Sequence, residues 1–183
     1  MRHTVTSADL VRVHGLDGVV YFPRPPHSLF TPETADFLSS VGLPHNSLFG
    51  ARADVGIEEN EVDPTELGPL FDLDELEYPA DRRHWQVLGY LRSTLITVDP
   101  ATGTVHGYAE GEDDSTPLHR DVESLAFTLT ELRKLLDAYD QGGDTEALAT
   151  RFQGAVNAFD ALPLSEEESE WTIMLEEFVD GMW

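Results

Sequence analysis

Between Trp85 and Tyr108 the chain offers only strand-like runs, and from Val122 to Phe178 only helical ones. That segregation is what most restricts its fold. Trp85-Gln86-Val87-Leu88-Gly89-Tyr90, Leu95-Ile96-Thr97-Val98 and Thr104-Val105-His106-Gly107-Tyr108 read as an antiparallel meander. Asp99-Pro100-Ala101-Thr102-Gly103 joins the last two runs: proline fixes φ for a type I turn and Gly103 is free to take positive φ, which predicts a tight hairpin. After an N-cap at Asp121, the residues Val122, Leu125, Leu129, Leu132, Leu136 and Tyr139 recur at alternating spacings of three and four, one buried helical stripe that ends at Gly142-Gly143. A second helix carries Leu148, Phe152, Val156 and Phe159; a third, past Pro163, opens at Ser165-Glu166-Glu167-Glu168 and buries Trp171, Met174, Leu175 and Phe178. Strands followed by helices predict an α+β fold, an antiparallel sheet with helices on one face, rather than alternating βαβ units.

Upstream, Gly18-Val19-Val20-Tyr21-Phe22 reads as a short strand stopped by Pro23-Arg24-Pro25-Pro26. Thr31-Pro32-Glu33 starts a helix with a hydroxyl cap, a first-turn proline and a favourable carboxylate; Phe37, Leu38 and Val41 form its apolar face, and Gly42 and Pro44 end it. Residues 58 to 77 hold nine acids and no Lys or Arg, so self-repulsion favours an exposed, irregular course in which Leu70, Phe71, Leu73 and Leu76 supply an edge strand or a short helix. One domain over residues 1–183 is expected, with 1–29 an N-terminal extension carrying a short strand and 121–183 mainly helical.

Charge bounds the partners. Thirty-five Asp and Glu against 11 Lys and Arg give a net charge of −24, which argues against nucleic acid and anionic membranes, since phosphate binding needs clustered cations. The absence of cysteine excludes disulfides, thiolate zinc sites and thiol nucleophiles together. With no apolar leader and no run long enough to span a bilayer, a soluble, cytoplasmic protein is expected.

Catalytic chemistry finds no motif. No serine sits in a Gly-x-Ser-x-Gly turn, there is no phosphate-cradling loop, and the seven histidines are scattered without His-Glu-x-x-His spacing. Asp72-Leu73-Asp74-Glu75-Leu76 and Glu110-Gly111-Glu112-Asp113-Asp114 lack the calcium-loop order. So many carboxylates place some pairs together by chance, so acids alone do not argue for a hydrolase. No enzyme activity, metal or cofactor is expected. Trp85 and Trp171 read as core; Trp183, beside Met182, either docks or stays exposed.

The order of segments resembles a known family. Phe30-Thr31-Pro32-Glu33-Thr34-Ala35-Asp36-Phe37-Leu38-Ser39-Ser40-Val41-Gly42-Leu43-Pro44 looks like the proline-start helix and Val-Gly-Leu-Pro segment of the SUKH immunity-protein superfamily, relatives of a yeast cell-wall regulator family. His84 through Tyr90, Leu95 through Val98, and Asp99-Pro100-Ala101-Thr102-Gly103-Thr104-Val105 are similar to its strand and Asp-Pro-x-Thr-Gly-x-Val hairpin. The helix near 121 to 139 then falls where that family has its helix after the sheet, and Trp171 through Gly181 is a weaker match. Residues 1–29 and 50–82 have no counterpart. The resemblance implies a SUKH-like α+β fold in the bacterial toxin-immunity branch, with non-enzymatic neutralisation of toxins, many of them nucleases or nucleic-acid deaminases, by direct binding. It carries over no contact residues.

The expected function is therefore an immunity protein whose acidic surface engages a basic toxin domain, because nuclease sites are cationic and complementary potentials speed and select association. Candidate contacts, chosen for charge density in predicted loops, are Glu58, Glu59, Glu61, Asp63, Glu66, Glu110, Glu112, Asp113 and Asp114. The rival readings are an adaptor of the same fold binding an endogenous protein, and a hydrolase built on a carboxylate pair.

Overall fold

The computed structural model describes residues 3–22, 30–51, 66–73, 80–108 and 114–182. The architecture is α+β. Five antiparallel strands, β3 (Phe49–Ala51), β4 (Gln86–Leu91), β5 (Thr94–Val98), β6 (Val105–Tyr108) and β7 (Thr116–His119), follow one another across the main sheet in chain order. β1 (Val19–Val20) and β2 (Leu43–Pro44) make a separate antiparallel pair. The helices are α1 (Ser7–His14), α2 (Pro32–Ser40), α3 (Leu67–Leu73), α4 (Val122–Asp140), α5 (Thr145–Phe159) and α6 (Glu170–Val179).

Local chemistry explains several of these elements. The Thr31 hydroxyl accepts from the Thr34 amide ahead of Pro32, and α2 buries Phe37 and Leu38. The β5–β6 hairpin turns where expected: the Gly103 amide donates to the Asp99 carbonyl at 2.8 Å with Gly103 at φ 81°. Asp121 caps α4 by accepting from the Ser124 amide. At Gly89 the register between β4 and β5 shifts, and a Cβ there would lie 2.3 Å from the Gly50 carbonyl oxygen, so only glycine lets β3 approach β4.

Side chains alternate across the sheet and feed two cores. Leu88, Leu91, Ile96, Val98, Val105 and Leu118 join a large cluster that runs from Val5 to Phe178 and includes α1, α2 and α4–α6. Each wholly buried leucine of α4, such as Leu125 and Leu129, contributes about 1.5–3 kcal/mol through the area it removes from water. The other face carries Val87, Leu95 and Tyr108, which pack with Trp85 against Leu67 and Phe71 of α3. Helices therefore crowd one face, while α3 and the 3₁₀ turn Ala80–Arg82 give the opposite face a small cover.

Several boundaries differ from expectation. The N-terminal stretch contains α1, closed by a Thr6–Asp9 capping box and anchored by Leu10 in the main core, rather than only a strand. Within 58–77, the described part is α3, so of the two options the short helix forms; Leu76 lies outside the described residues. The last helix begins at Ser169, not Ser165: the Ser169 hydroxyl accepts from the Thr172 amide, and Ser165 ends the 3₁₀ turn Leu162–Leu164. Near the end of α4 the stripe drifts, so that Leu135 is buried while Leu136 is half-buried and Tyr139 is 38% exposed.

Candidate functional site

Of the nine predicted contact acids, Glu66 and Asp114 fall among the described residues; Glu58, Glu59, Glu61, Asp63, Glu110, Glu112 and Asp113 lie outside them. Both described acids border the α3-covered face of the sheet. Glu66 forms an antiparallel bridge with Gln86 at the head of β4. Asp114 leads into β7 and is hydrogen-bonded and ion-paired to Arg82, which also donates to the Ser115 hydroxyl at 2.8 Å. The Arg82 guanidinium sits 5.2 Å from the Trp85 ring centre, a cation–π contact, and Trp85 packs on His106 at 4.4 Å. The Arg82 hydrogen bond holds the Asp114 carboxyl below its ordinary range, and burial pushes His106 below the usual histidine value.

The most chemically suggestive constellation sits on the other face. Trp171 donates its indole N–H to His119 Nε2 at 2.9 Å, His119 Nδ1 lies 3.0 Å from the Ser124 hydroxyl, and that hydroxyl donates to Asp160 Oδ2 at 2.6 Å. Indole can only donate, so His119 Nε2 accepts and its Nδ1 carries the proton toward Ser124. This is a Ser, His and Asp set in the wrong order for catalysis. A nucleophilic serine needs its base to be free of a competing donor and oriented by the carboxylate; here serine stands between histidine and aspartate, and tryptophan occupies the second ring nitrogen. Both Ser124 and His119 are fully buried. Burial pushes His119 down to about 3, a neutral ring at ordinary pH. For Asp160, burial alone would raise the carboxyl, but hydrogen bonds from the Arg120 and Leu162 amides and from Ser124 bring it below its usual value. Asp160 is the one buried carboxylate among the described residues, and it is spent on this network, so the two-carboxylate reading finds no support there. None of these long-range pairings leaves a local sequence signal.

The described acids do not gather histidines or one another into any group of three or more that could hold a metal. Charge is distributed differently. Seven of the eight Lys and Arg among the described residues, namely Arg12, Arg82, Arg83, Arg92, Arg120, Arg133 and Lys134, are ion-paired to acids. Most of the described cations are thus neutralised locally, and the surplus acids set the field around the molecule.

Two recesses open at the surface. One, of about 280 Å³ between α1 and α4, has Val5, Val13 and Phe127 inside it and the Asp9–Arg12 and Glu131–Lys134 ion pairs at its edge. The other, a groove of about 510 Å³ between α5 and α6, is edged by Glu146, Glu176 and Asp180. No helix among the described residues is long and apolar enough to cross a membrane.

Compared with known proteins, the chain matches the family model of the SUKH-4 immunity protein over residues 5–177. No curated protein and no solved structure gives a significant match. The match reaches from just before α1 into the last turn of α6, and takes in residues 5–29 of the N-terminal segment and the stretch 50–82, for which the sequence resemblance had no counterpart.

Proposed function

The chain belongs to the SUKH-4 immunity protein family, and from that premise we propose that it neutralises a cognate toxin domain, of nuclease or nucleic-acid deaminase type, by binding it directly in the cytoplasm without catalysis of its own. The observation that carries the direct-binding reading is the pairing of the cations: with seven of eight described Lys and Arg already matched to acids, the remaining carboxylates of a −24 chain confront any partner uncompensated. A basic nucleic-acid-cleaving or nucleic-acid-modifying domain is the complementary surface. Glu66, together with Glu58, Glu59, Glu61, Asp63, Glu110, Glu112 and Asp113, contributes to this field and steers the encounter, while Asp114, paired with Arg82, contributes less.

Co-expression with the product of the neighbouring toxin-like gene tests the reading. Protection of the host cell and a complex that survives purification at low salt and weakens as salt rises are expected. No protection together with no complex at low salt overturns it; recovery instead of a housekeeping protein as the stable partner would favour the adaptor reading. Reversing Glu66 and Asp114 to lysine is expected to slow association about 2- to 10-fold while leaving dissociation nearly unchanged, as rim charges do.

A further inference from the structure

Resting on that reading, we propose that the groove between α5 and α6 is the docking site, and that it takes an apolar side chain flanked by Lys or Arg from one basic segment of the toxin. The groove, of about 510 Å³, is a concave feature with an apolar floor and an acidic rim. Ala149 and Leu175 form the floor, each only 6% exposed and locked into the main core, so the floor is preformed. Val179 stands beside them 42% exposed, an apolar side chain the fold leaves uncovered.

The rim decides the class of occupant. Glu146, Glu176 and Asp180 line the groove, and no Lys or Arg among the described residues is ion-paired to any of them. Residues 152–183 contain no Lys or Arg at all. A phosphate, a carboxylate ligand or an acidic peptide would face three carboxylates with no Lys or Arg among the lining residues to offset them. A segment carrying Lys or Arg on either side of a leucine or aromatic anchor satisfies both chemistries at once: the anchor enters between the helices, and the cations meet the rim. Charge elsewhere on the molecule speeds the approach; burial of an anchor in a rigid apolar floor is what slows departure.

The test uses the full chain and the catalytically inactivated toxin domain encoded beside it, with association and dissociation rates followed separately. Gln153 and Thr150 line the groove from its exposed side, so Gln153→Trp fills it without entering the core. This variant is expected to keep the wild-type thermal midpoint and to weaken the complex by about 30-fold or more, through faster dissociation. The double reversal Glu176→Arg, Asp180→Arg is expected to weaken it by a similar factor through both rates. A Leu/Lys amphipathic peptide should displace the toxin domain from the wild-type chain, and a Leu/Glu counterpart should not. A well-folded Gln153→Trp variant that binds within about threefold of wild type overturns the groove while leaving direct neutralisation standing; failure of the Leu/Lys peptide to compete overturns the basic-segment assignment. If the wild-type chain does not bind the toxin domain, the functional reading itself falls and the groove with it.

Discussion

The two faces of the main sheet differ in how fully they satisfy their buried polar groups. On the helical face, Trp171, His119, Ser124 and Asp160 form an unbroken donor-to-acceptor chain, and the Asp160 oxygens are completed by the Arg120 and Leu162 amides. On the α3 face, the buried hydroxyls of Thr97 and Tyr108 have no hydrogen-bond partner among the described residues, and the His106–Ser115 contact is stretched to 3.5 Å, whereas the helices carry one such idle group, the Thr128 hydroxyl of α4. The helical face is also tightly filled: the void among Leu132, Phe152, Trp171 and Phe178 is about 10 Å³, scarcely one water in volume. A satisfied network in a low-dielectric core is costly to disturb, whereas a face with idle polar groups has less to lose. The large core lies under the helices, and the face covered by α3, with its small cluster, is the less committed one.

The largest effect that separates the faces is expected at Trp171. Trp171→Ala opens a cavity and also leaves His119 without its donor, so a loss of about 4 kcal/mol or more in denaturant-melted stability should follow, with cooperative unfolding of the whole chain. A loss below about 1 kcal/mol would break the comparison outright.

Acid should attack the same face next. His119 is held neutral, its value lowered from 6.5 to about 3, so below pH 6.5 the unfolded chain takes up a proton that the folded chain refuses. Stability then falls as pH drops from 6.5 towards 3, at about 1.4 kcal/mol per pH unit from this one group, or about 2 kcal/mol by pH 5. His14, lowered to about 4 by burial and by Arg133 and Lys134, tilts the curve the same way. Asp160, held below 3.8, withdraws its contribution only at still lower pH. Urea melts from pH 7 to 4.5 check this: His119→Gln should flatten the slope, and an unchanged slope would assign the acid sensitivity elsewhere.

On the opposite face, Phe71→Ala removes the main apolar contact of α3 with Tyr108, whose ring lies 5.6 Å away. An effect of about 2 kcal/mol is expected, smaller than at Trp171 because this cluster is small and α3 can release without the rest. Hydrogen exchange should quicken in α3 and leave α4 protected. Loss of protection in both at once would mean that the two faces melt as a unit.

The legibility of the sequence follows the same divide between local and long-range forces. The β5–β6 hairpin and the starts of α2 and α4 were readable because capping side chains and turn residues act within a few positions. α1 was missed although its Thr6–Asp9 capping box is local, because its eight residues bury only Leu10. β3 and β7 are short and carry Gly50 and Pro117, so neither alternates; they exist because β4 and β6 offer them a ladder. Ser165 and Ser169 are both plausible caps by composition, and tertiary contact favours Ser169, whose hydroxyl makes a buried bond to the Pro163 carbonyl at 2.7 Å. For the site, the amount of negative charge was legible and its arrangement was not: the α5–α6 groove joins Ala149 to Leu175 and Val179, a spacing no motif records.

The smallest effect has the opposite sign. Thr97 is wholly buried in β5, where it pairs with Val87 on one side and His106 on the other, and its hydroxyl is without a hydrogen-bond partner. Thr97→Val keeps the β-branched shape that a strand favours and removes the idle polar group, so the change should be neutral or stabilising by up to about 1 kcal/mol. Tyr108→Phe should behave alike, although Arg82 lies close enough to feel its hydroxyl and makes the gain smaller. The matching change on the helical face, Ser124→Ala, deletes a hydroxyl of similar burial yet is expected to cost about 1–3 kcal/mol, because it strands the buried His119 Nδ1–H and takes one of its two hydrogen bonds from Asp160 Oδ2. Equal signs for Thr97→Val and Ser124→Ala, measured in the same denaturant series, would show that hydrogen-bond satisfaction does not distinguish the two faces.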